Sequence, residues 1–124
     1  SSNNAAFGIE TRKAVDVVDN TVYHVEAVNA AAIGILTNYN TGGSVRGNRI
    51  GFVGLDSGSG PILGIRNQNS SARMVIRDNV LVGGGEVGSI GIECNSATDV
   101  TKNNSIKGYP DALECTDNGN LIKP

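Results

Sequence analysis

Two glutamates stand 21 residues apart and follow the same kind of dipeptide: Glu93 follows Gly91-Ile92, and Glu114 follows Ala112-Leu113. If the two dipeptides occupy equivalent places in neighbouring strands, the two carboxylates face outward about 5 Å apart. Glycoside hydrolases place two carboxyl groups at about that separation or somewhat wider, and a neighbouring charge raises the pKa of the one that acts as general acid. Glu93 and Glu114 are therefore candidate catalytic residues for polysaccharide cleavage.

Three further residues lie close to this pair in the repeat and are candidates for substrate binding. Arg66 follows Gly64-Ile65 one strand earlier, and Tyr109 and Asp111 precede Glu114 on a short coil. A simpler interpretation is an exposed ladder of Arg66, Glu93 and Glu114 that adds little to stability, with Asp111 in a solvated turn. Aromatic platforms for sugars are few, and the sequence offers Tyr23, Tyr39 and Tyr109 as candidates.

Two short signatures recur along the chain in a fixed order and indicate an internal repeat. The first is Gly-Ile, degenerate in its last copy, and its copies begin at Gly8, Gly34, Gly64, Gly91 and Ala112. The second is an asparagine with an aliphatic residue two places later, at Asn20, Asn48, Asn79 and Asn104. Each asparagine falls 12 to 15 residues after its Gly-Ile pair. The two signatures therefore stay in phase along the chain.

The spacing of apolar residues predicts strands and no helix. Apolar positions alternate in twos, and the strands implied are about 3–5 residues long. A unit of roughly 25 residues cannot bury its apolar side alone, whereas stacking it on copies of itself does so. The predicted fold is all-β, a right-handed parallel β-helix of four to five coils of 21 to 30 residues each, with residues 1–124 forming a single domain. Right-handedness is favoured because the coil lengths are irregular and a hexapeptide period is missing. Since neither end carries a convincing cap, we expect a fragment of a longer chain.

The repeat register predicts which side chains share a column. Three inward columns are expected: Ile9, Ile35, Ile65, Ile92 and Leu113; Val17, Val45, Ile76 and Thr101; and Val22, Ile50, Leu81 and Ile106. The four asparagines should stack at one turn, where Asn tolerates the left-handed backbone conformation. Cys94 and Cys115 fall in one inward column, and a buried thiol pair is favoured over a disulfide, although the Cα spacing permits one. Residues 54–61 are expected to project as a loop, and residues 117–120 to form a turn.

The repeated pattern Gly-Ile followed by Val-x-x-Asn-x-Ile resembles that of the pectin-lyase-like right-handed β-helices. This superfamily includes pectate lyases, polygalacturonases and bacteriophage tailspikes, and the resemblance extends over about residues 6 to 123. It implies a lateral face that binds or cleaves polysaccharide through acidic residues and, for the tailspikes, a homotrimer. The catalytic motifs of the polygalacturonases and the clustered-Asp calcium site of the pectate lyases are absent from the sequence.

Composition excludes several classes of function. A net charge of -2 gives no basic surface for nucleic acid. No apolar run is long enough to span a membrane. The single histidine, His24, is expected at a surface or corner of the fold. We expect no metal and no cofactor. The favoured hypothesis is a segment like those of the bacteriophage tailspikes, which recognises host surface polysaccharide or serves as a structural shaft. We expect it to be a homotrimer and to be located on a virion tail or outside the cell. The alternatives are a polysaccharide hydrolase or lyase using Glu93 and Glu114, and a scaffold of a bacterial surface protein.

Overall fold

The computed structural model describes residues 3–38, 42–68 and 73–124, so Tyr39 lies outside the described residues. This part of the chain forms strands and no helix. The strands in chain order are β1 (Ala6–Thr11), β2 (Val15–Val18), β3 (Thr21–Val28), β4 (Ala32–Thr37), β5 (Gly43–Arg46), β6 (Arg49–Ser57), β7 (Ile62–Asn67), β8 (Val75–Arg77), β9 (Val80–Val82), β10 (Ile90–Cys94), β11 (Val100–Lys102), β12 (Ser105–Lys107), β13 (Asp111–Glu114) and β14 (Leu121–Lys123).

The strands form three parallel sheets that run along a solenoid, which confirms the predicted all-β fold. The first sheet has the order β1-β4-β7-β10-β13, the second β2-β5-β8-β11, and the third β3-β6-β9-β12-β14. Each coil except the last contributes one strand to each sheet, and the inner coils pair with the coils on either side. The coil count differs slightly from the prediction, because the last coil has no strand in the second sheet and only an isolated bridge from Thr101 to Asp117 there.

The interior is built from the three predicted columns of aliphatic side chains. Ile35, Ile65 and Ile92 are fully buried in the first column, whereas Ile9 and Leu113 at its two ends are partly exposed. The second and third columns are buried from Val17 to Thr101 and from Val22 to Ile106. Strand register aligns the members of each column, as in the pairing of Ile50 with Leu81. The repeat therefore specifies the core.

The glycine of the Gly-Ile signature is required by close approach between coils. A Cβ on Gly34 would lie 2.6 Å from the carbonyl oxygen of Gly64 and 2.8 Å from a methyl group of Ile50. A Cβ on Gly64 would lie 2.7 Å from the carbonyl oxygen of Gly91. Ala112 takes this place in β13, which is an edge strand of its sheet. The degenerate last copy is tolerated because the strand has a neighbour on one side only.

An asparagine ladder runs along the solenoid at the corner between the second and third sheets. Its members are Asn20, Asn48, Asn79, Asn104 and, in addition to those predicted, Asn120. The backbone N–H and the side-chain amide of each asparagine donate to Oδ1 of the next one; for Asn48 and Asn79 the distances are 2.9 and 3.0 Å. The amide of Asn79 also donates to the carbonyl oxygen of Val45 at 2.9 Å. The predicted turn at residues 117–120 ends the ladder, because Asp117 Oδ1 accepts from Asn120 instead.

The prediction that the ladder asparagines adopt the left-handed conformation is wrong by one residue. The positive φ belongs to the residue before each asparagine, in the order Asp19, Gly47, Asp78, Asn103 and Gly119. That residue turns the chain, and the following asparagine is left with its amide directed along the solenoid axis. The role of the asparagine is therefore hydrogen bonding rather than conformational tolerance.

Two further expectations are corrected. Cys94 and Cys115 form a disulfide rather than a thiol pair, with Cα atoms 5.1 Å apart, and this bond joins β10 to the coil that carries β13. The segment 54–61 does not project over its whole length, because its first half continues β6 and pairs with β3, as Gly54 does with Glu26. The loop is confined to the residues after Ser57.

Candidate functional site

The predicted catalytic pair lies on the outer side of the first sheet. Glu93 on β10 and Glu114 on β13 are direct register partners, and Arg66 on β7 is the partner of Glu93 on its other side. Arg66 Nε lies 2.8 Å from Glu93 Oε1. With Asp111, which contacts Glu114, the structure brings together four of the five residues named from the sequence. Because both members of the ion pair are partly exposed, the pair adds little to stability.

Asp111 joins this group at the start of β13 and changes the acidity of Glu114. A hydrogen bond between the Asp111 and Glu114 carboxyl groups, together with partial desolvation and the charges of Asp111 and Glu93, raises the pKa of Glu114 to about 7. Glu93 differs from Glu114 in that the cation of Arg66 stands beside it. A carboxyl group with a raised pKa beside a second carboxyl group is the arrangement that acid-assisted hydrolysis uses.

Tyr109 does not belong to this face. Its ring is 4% exposed and packs into the main core, so it offers no platform to a sugar. Burial and the charge of Glu86 raise the pKa of its hydroxyl to about 12. The residues that border the acidic group on the sheet are apolar instead: Ile33, Leu36 and Leu63 form a small buried cluster with Ile90 at its edge.

A second site lies on the outer side of the third sheet. Tyr23 and His24 on β3 and Phe52 on β6 form an aromatic cluster, in which the Phe52 ring centroid is 5.4 Å from that of Tyr23 and 5.2 Å from that of His24. The His24 and Phe52 rings are nearly parallel, with an interplanar angle of 9°. Phe52 is 65% exposed and Tyr23 52% exposed. An apolar ring this exposed is unusual within a strand, and it marks a surface available for contact.

The backbone conformation of His24 and Phe52 places the rings outside. Both residues have positive φ, 59° and 55° respectively. The left-handed conformation interrupts the alternation of the strand, so that Ile50 and Val53, three residues apart, both face the core while Phe52 faces out. A bulky residue in this conformation is strained, and such strain concentrates at corners and functional sites.

The aromatic cluster forms one wall of a groove of about 410 Å³. In the next coil, Gly83 and Gly84 take the place of bulky side chains and leave the space open. Glu26 and Glu86 also line the groove. The Glu86 carboxylate folds back over the chain, since a Cβ on Gly84 would lie 2.6 Å from its Oε1. The name "aromatic groove" is used below for this space and its lining residues.

The sequence contained a signal for the aromatic groove that the interpretation above did not use. His24 stands four residues after Asn20, and Phe52 stands four residues after Asn48. Equal offsets from the ladder place the two rings side by side in adjacent coils. Tyr23 and His24 were interpreted singly, and Phe52 was not considered.

Other kinds of site are not found in the described residues. No group of three or more His, Cys, Asp or Glu side chains there is placed to hold a metal ion. The same residues include no helix long and apolar enough to cross a membrane. Comparison with known proteins finds no matching family model, no similar curated protein and no similar solved structure.

Proposed function

We propose that this chain is an extracellular β-solenoid segment that recognises a surface polysaccharide through the aromatic groove. The observation that carries the proposal is the pair of exposed rings, Tyr23 and Phe52, at the mouth of a groove on a rigid stack of strands. Aromatic faces provide flat apolar area for the C–H face of a sugar ring, at a low cost in conformational entropy. The scaffold holds the two rings on adjacent coils, so they are ordered before a ligand binds.

Two features support an extracellular location, which for a tailspike would be the virion tail. The Cys94–Cys115 disulfide fits an oxidising compartment, where such bonds form and persist. The parallel solenoid is compatible with the bacteriophage tailspikes that the sequence resembles. From that resemblance we propose a homotrimeric assembly with a host surface polysaccharide as its partner.

The test of this proposal is glycan binding by the wild-type chain and by a Phe52→Gly variant. Glycine suits the positive φ at this position, so the ring is removed while the backbone conformation is kept. The measurement is binding to an array of bacterial surface polysaccharides. We expect the variant to bind the glycans that the wild type recognises with an affinity lower by at least about tenfold.

A matched control is Phe7→Ala, which removes another exposed phenylalanine, on the first sheet. We expect that variant to bind as the wild type does. The proposal is contradicted if Phe52→Gly retains full affinity while thermal melting shows that both variants are folded. Light scattering of the purified wild type would test the trimer separately.

We also propose, as a second function, that the first-sheet face hydrolyses a polysaccharide. The supporting observation is the pKa of about 7 for Glu114 beside the ion-paired Glu93. Glu114 would donate a proton to the glycosidic oxygen, and Glu93 would act as nucleophile or base. The partly exposed Ile90 would provide an apolar contact beside them.

This second function predicts a pH profile. A general acid must be protonated, so cleavage should decline as pH rises through about 7. Glu114→Gln should lower the release of reducing ends by roughly 100-fold or more. Glu10→Gln is the control, since Glu10 lies in the same outward column and has Arg12 as its partner. Equal activity in Glu114→Gln and wild type would refute the assignment.

A further inference from the structure

The aromatic groove is lined by two carboxylates, Glu26 and Glu86, and by the imidazole of His24. Among the described residues its lining contains no lysine or arginine. Within the described residues the ion pairs join Arg12 to Glu10, Arg66 to Glu93 and Arg77 to Asp78, so neither groove carboxylate is neutralised by the protein. An acidic sugar would bring a like charge beside these two carboxylates, whereas the hydroxyl groups of a neutral sugar can donate hydrogen bonds to them and a cation can also pair with them. The charge therefore limits which ligands fit.

The two carboxylates lie along the same groove as the aromatic rings. Glu26 leaves the same strand as Tyr23 and His24, three and two residues further on. Glu86 faces the groove from the opposite side, and its Oε1 would lie 3.8 Å from a Cβ on Gly54, the register partner of Glu26. The two carboxylates thus approach the same part of the groove from two coils. Phe52 lines the same groove and is 65% exposed.

An aromatic face and a carboxylate both attract an organic cation. An ammonium group within about 6 Å of a ring centroid is stabilised by the ring quadrupole, and the attraction is strongest where water is partly excluded. A carboxylate adds a charge-assisted hydrogen bond to an N–H of the same group. Rings alone would also bind an uncharged apolar face, and carboxylates alone would accept any cation. Their combination selects a cation that carries apolar or C–H surface.

We propose that the aromatic groove binds a sugar residue with a free ammonium group, the unit of a deacetylated amino-sugar polysaccharide. The inference rests on the proposed polysaccharide-binding function and specifies the ligand of that same site. The pyranose ring packs on Tyr23 and Phe52, and its ammonium group pairs with Glu86 and Glu26. N-acetylation removes the charge that this pairing needs, so acetylated units bind more weakly.

The test compares two oligosaccharides of equal length, a glucosamine tetramer and its fully N-acetylated counterpart, titrated into the intact chain by calorimetry. We expect the glucosamine tetramer to bind at least about tenfold more tightly. Glu86→Gln should weaken binding of the glucosamine tetramer several-fold and leave the acetylated one unchanged. Phe52→Gly should weaken both.

The control for nonspecific attraction is Glu10→Gln, which makes the same change of charge on a different sheet. Equal loss in Glu10→Gln and Glu86→Gln would overturn the inference, because the attraction would then arise from net charge alone. Equal affinity for the two tetramers, lost in Phe52→Gly, would also overturn it while leaving polysaccharide recognition intact. Failure to bind either tetramer, with neutral or acidic glycans bound on the array, would reject the ammonium ligand alone. Failure to bind any glycan would reject both proposals.

Discussion

Asn79→Leu should destabilise this protein by about 4 kcal/mol, a large part of the stability of a domain this size. The Asn79 side chain is 1% exposed and takes part in four hydrogen bonds. Leucine would leave the backbone N–H of Asn48 and the carbonyl oxygen of Val45 buried without their present partner. Each such group costs about 1–3 kcal/mol. The measurement is the free energy of unfolding from urea denaturation followed by circular dichroism.

The ladder provides its own matched control in Asn20→Leu. Asn20 stands at the first position, where its side-chain amide donates to Val18 and Asn48 and no donor to its Oδ1 is found in the described residues. Its replacement should cost about 1 kcal/mol, since fewer buried groups lose a partner. If the free energy of unfolding falls by similar amounts in the two variants, the destabilisation comes from the leucine side chain and not from the broken ladder. A variant of Asn79 that does not fold at all, beside a folded Asn20 variant, would still rank the two as expected.

Reduction of the Cys94–Cys115 disulfide should lower stability by about 3 kcal/mol and the melting temperature by roughly 10–15 °C. The bond closes a loop with a sequence separation of 21, and its loss returns that closure entropy to the unfolded chain. It also releases the coil of β13, an edge strand that pairs on one side only. The measurement is thermal unfolding with and without a reductant.

The double variant Cys94→Ala/Cys115→Ala is the control for this prediction. It should melt at the temperature of the reduced wild type and should not respond to the reductant. A wild type whose melting temperature is unchanged by full reduction, confirmed by thiol titration, would contradict the prediction. In that case the hydrogen bonds and core contacts of the last coil would be sufficient without the bond.

Much of the fold could be predicted because the repeat constrains every coil in the same way. Ile76 and Leu81 flank Asn79 at offsets that recur in each coil, so one register assigned all three inward columns. The pairing of Glu93 with Glu114 followed from the same register. These features depend on strand alternation and on spacing along the chain, which are properties of the sequence itself.

The missed features depend on backbone conformation or chemical state. Phe52, between Gly51 and Val53, has the sequence context of a core residue, and only its positive φ turns the ring outward. Tyr109 was predicted to contact substrate on the surface, yet its ring fills space left by the glycines of neighbouring coils, with Gly83 close to Cδ2. The register brought Cys94 and Cys115 together, but spacing cannot distinguish a thiol pair from a disulfide. The pattern of residue types contains no information on the backbone φ of Phe52, the packing space around Tyr109 or the oxidation state of the two cysteines.

The asparagine ladder also fixes distances on the surface of the molecule. The coils differ in length by up to nine residues, from 21 to 30, yet the offset from asparagine to corner residue is four for both His24 and Phe52. Insertions are absorbed elsewhere in the coil, and the outer face of the third sheet keeps its alignment. Substitution of His24 or of Phe52 would therefore change one surface group at a time, on coils about 4.8 Å apart. The binding properties of this face can therefore be changed one coil at a time, whatever the length of the individual coils.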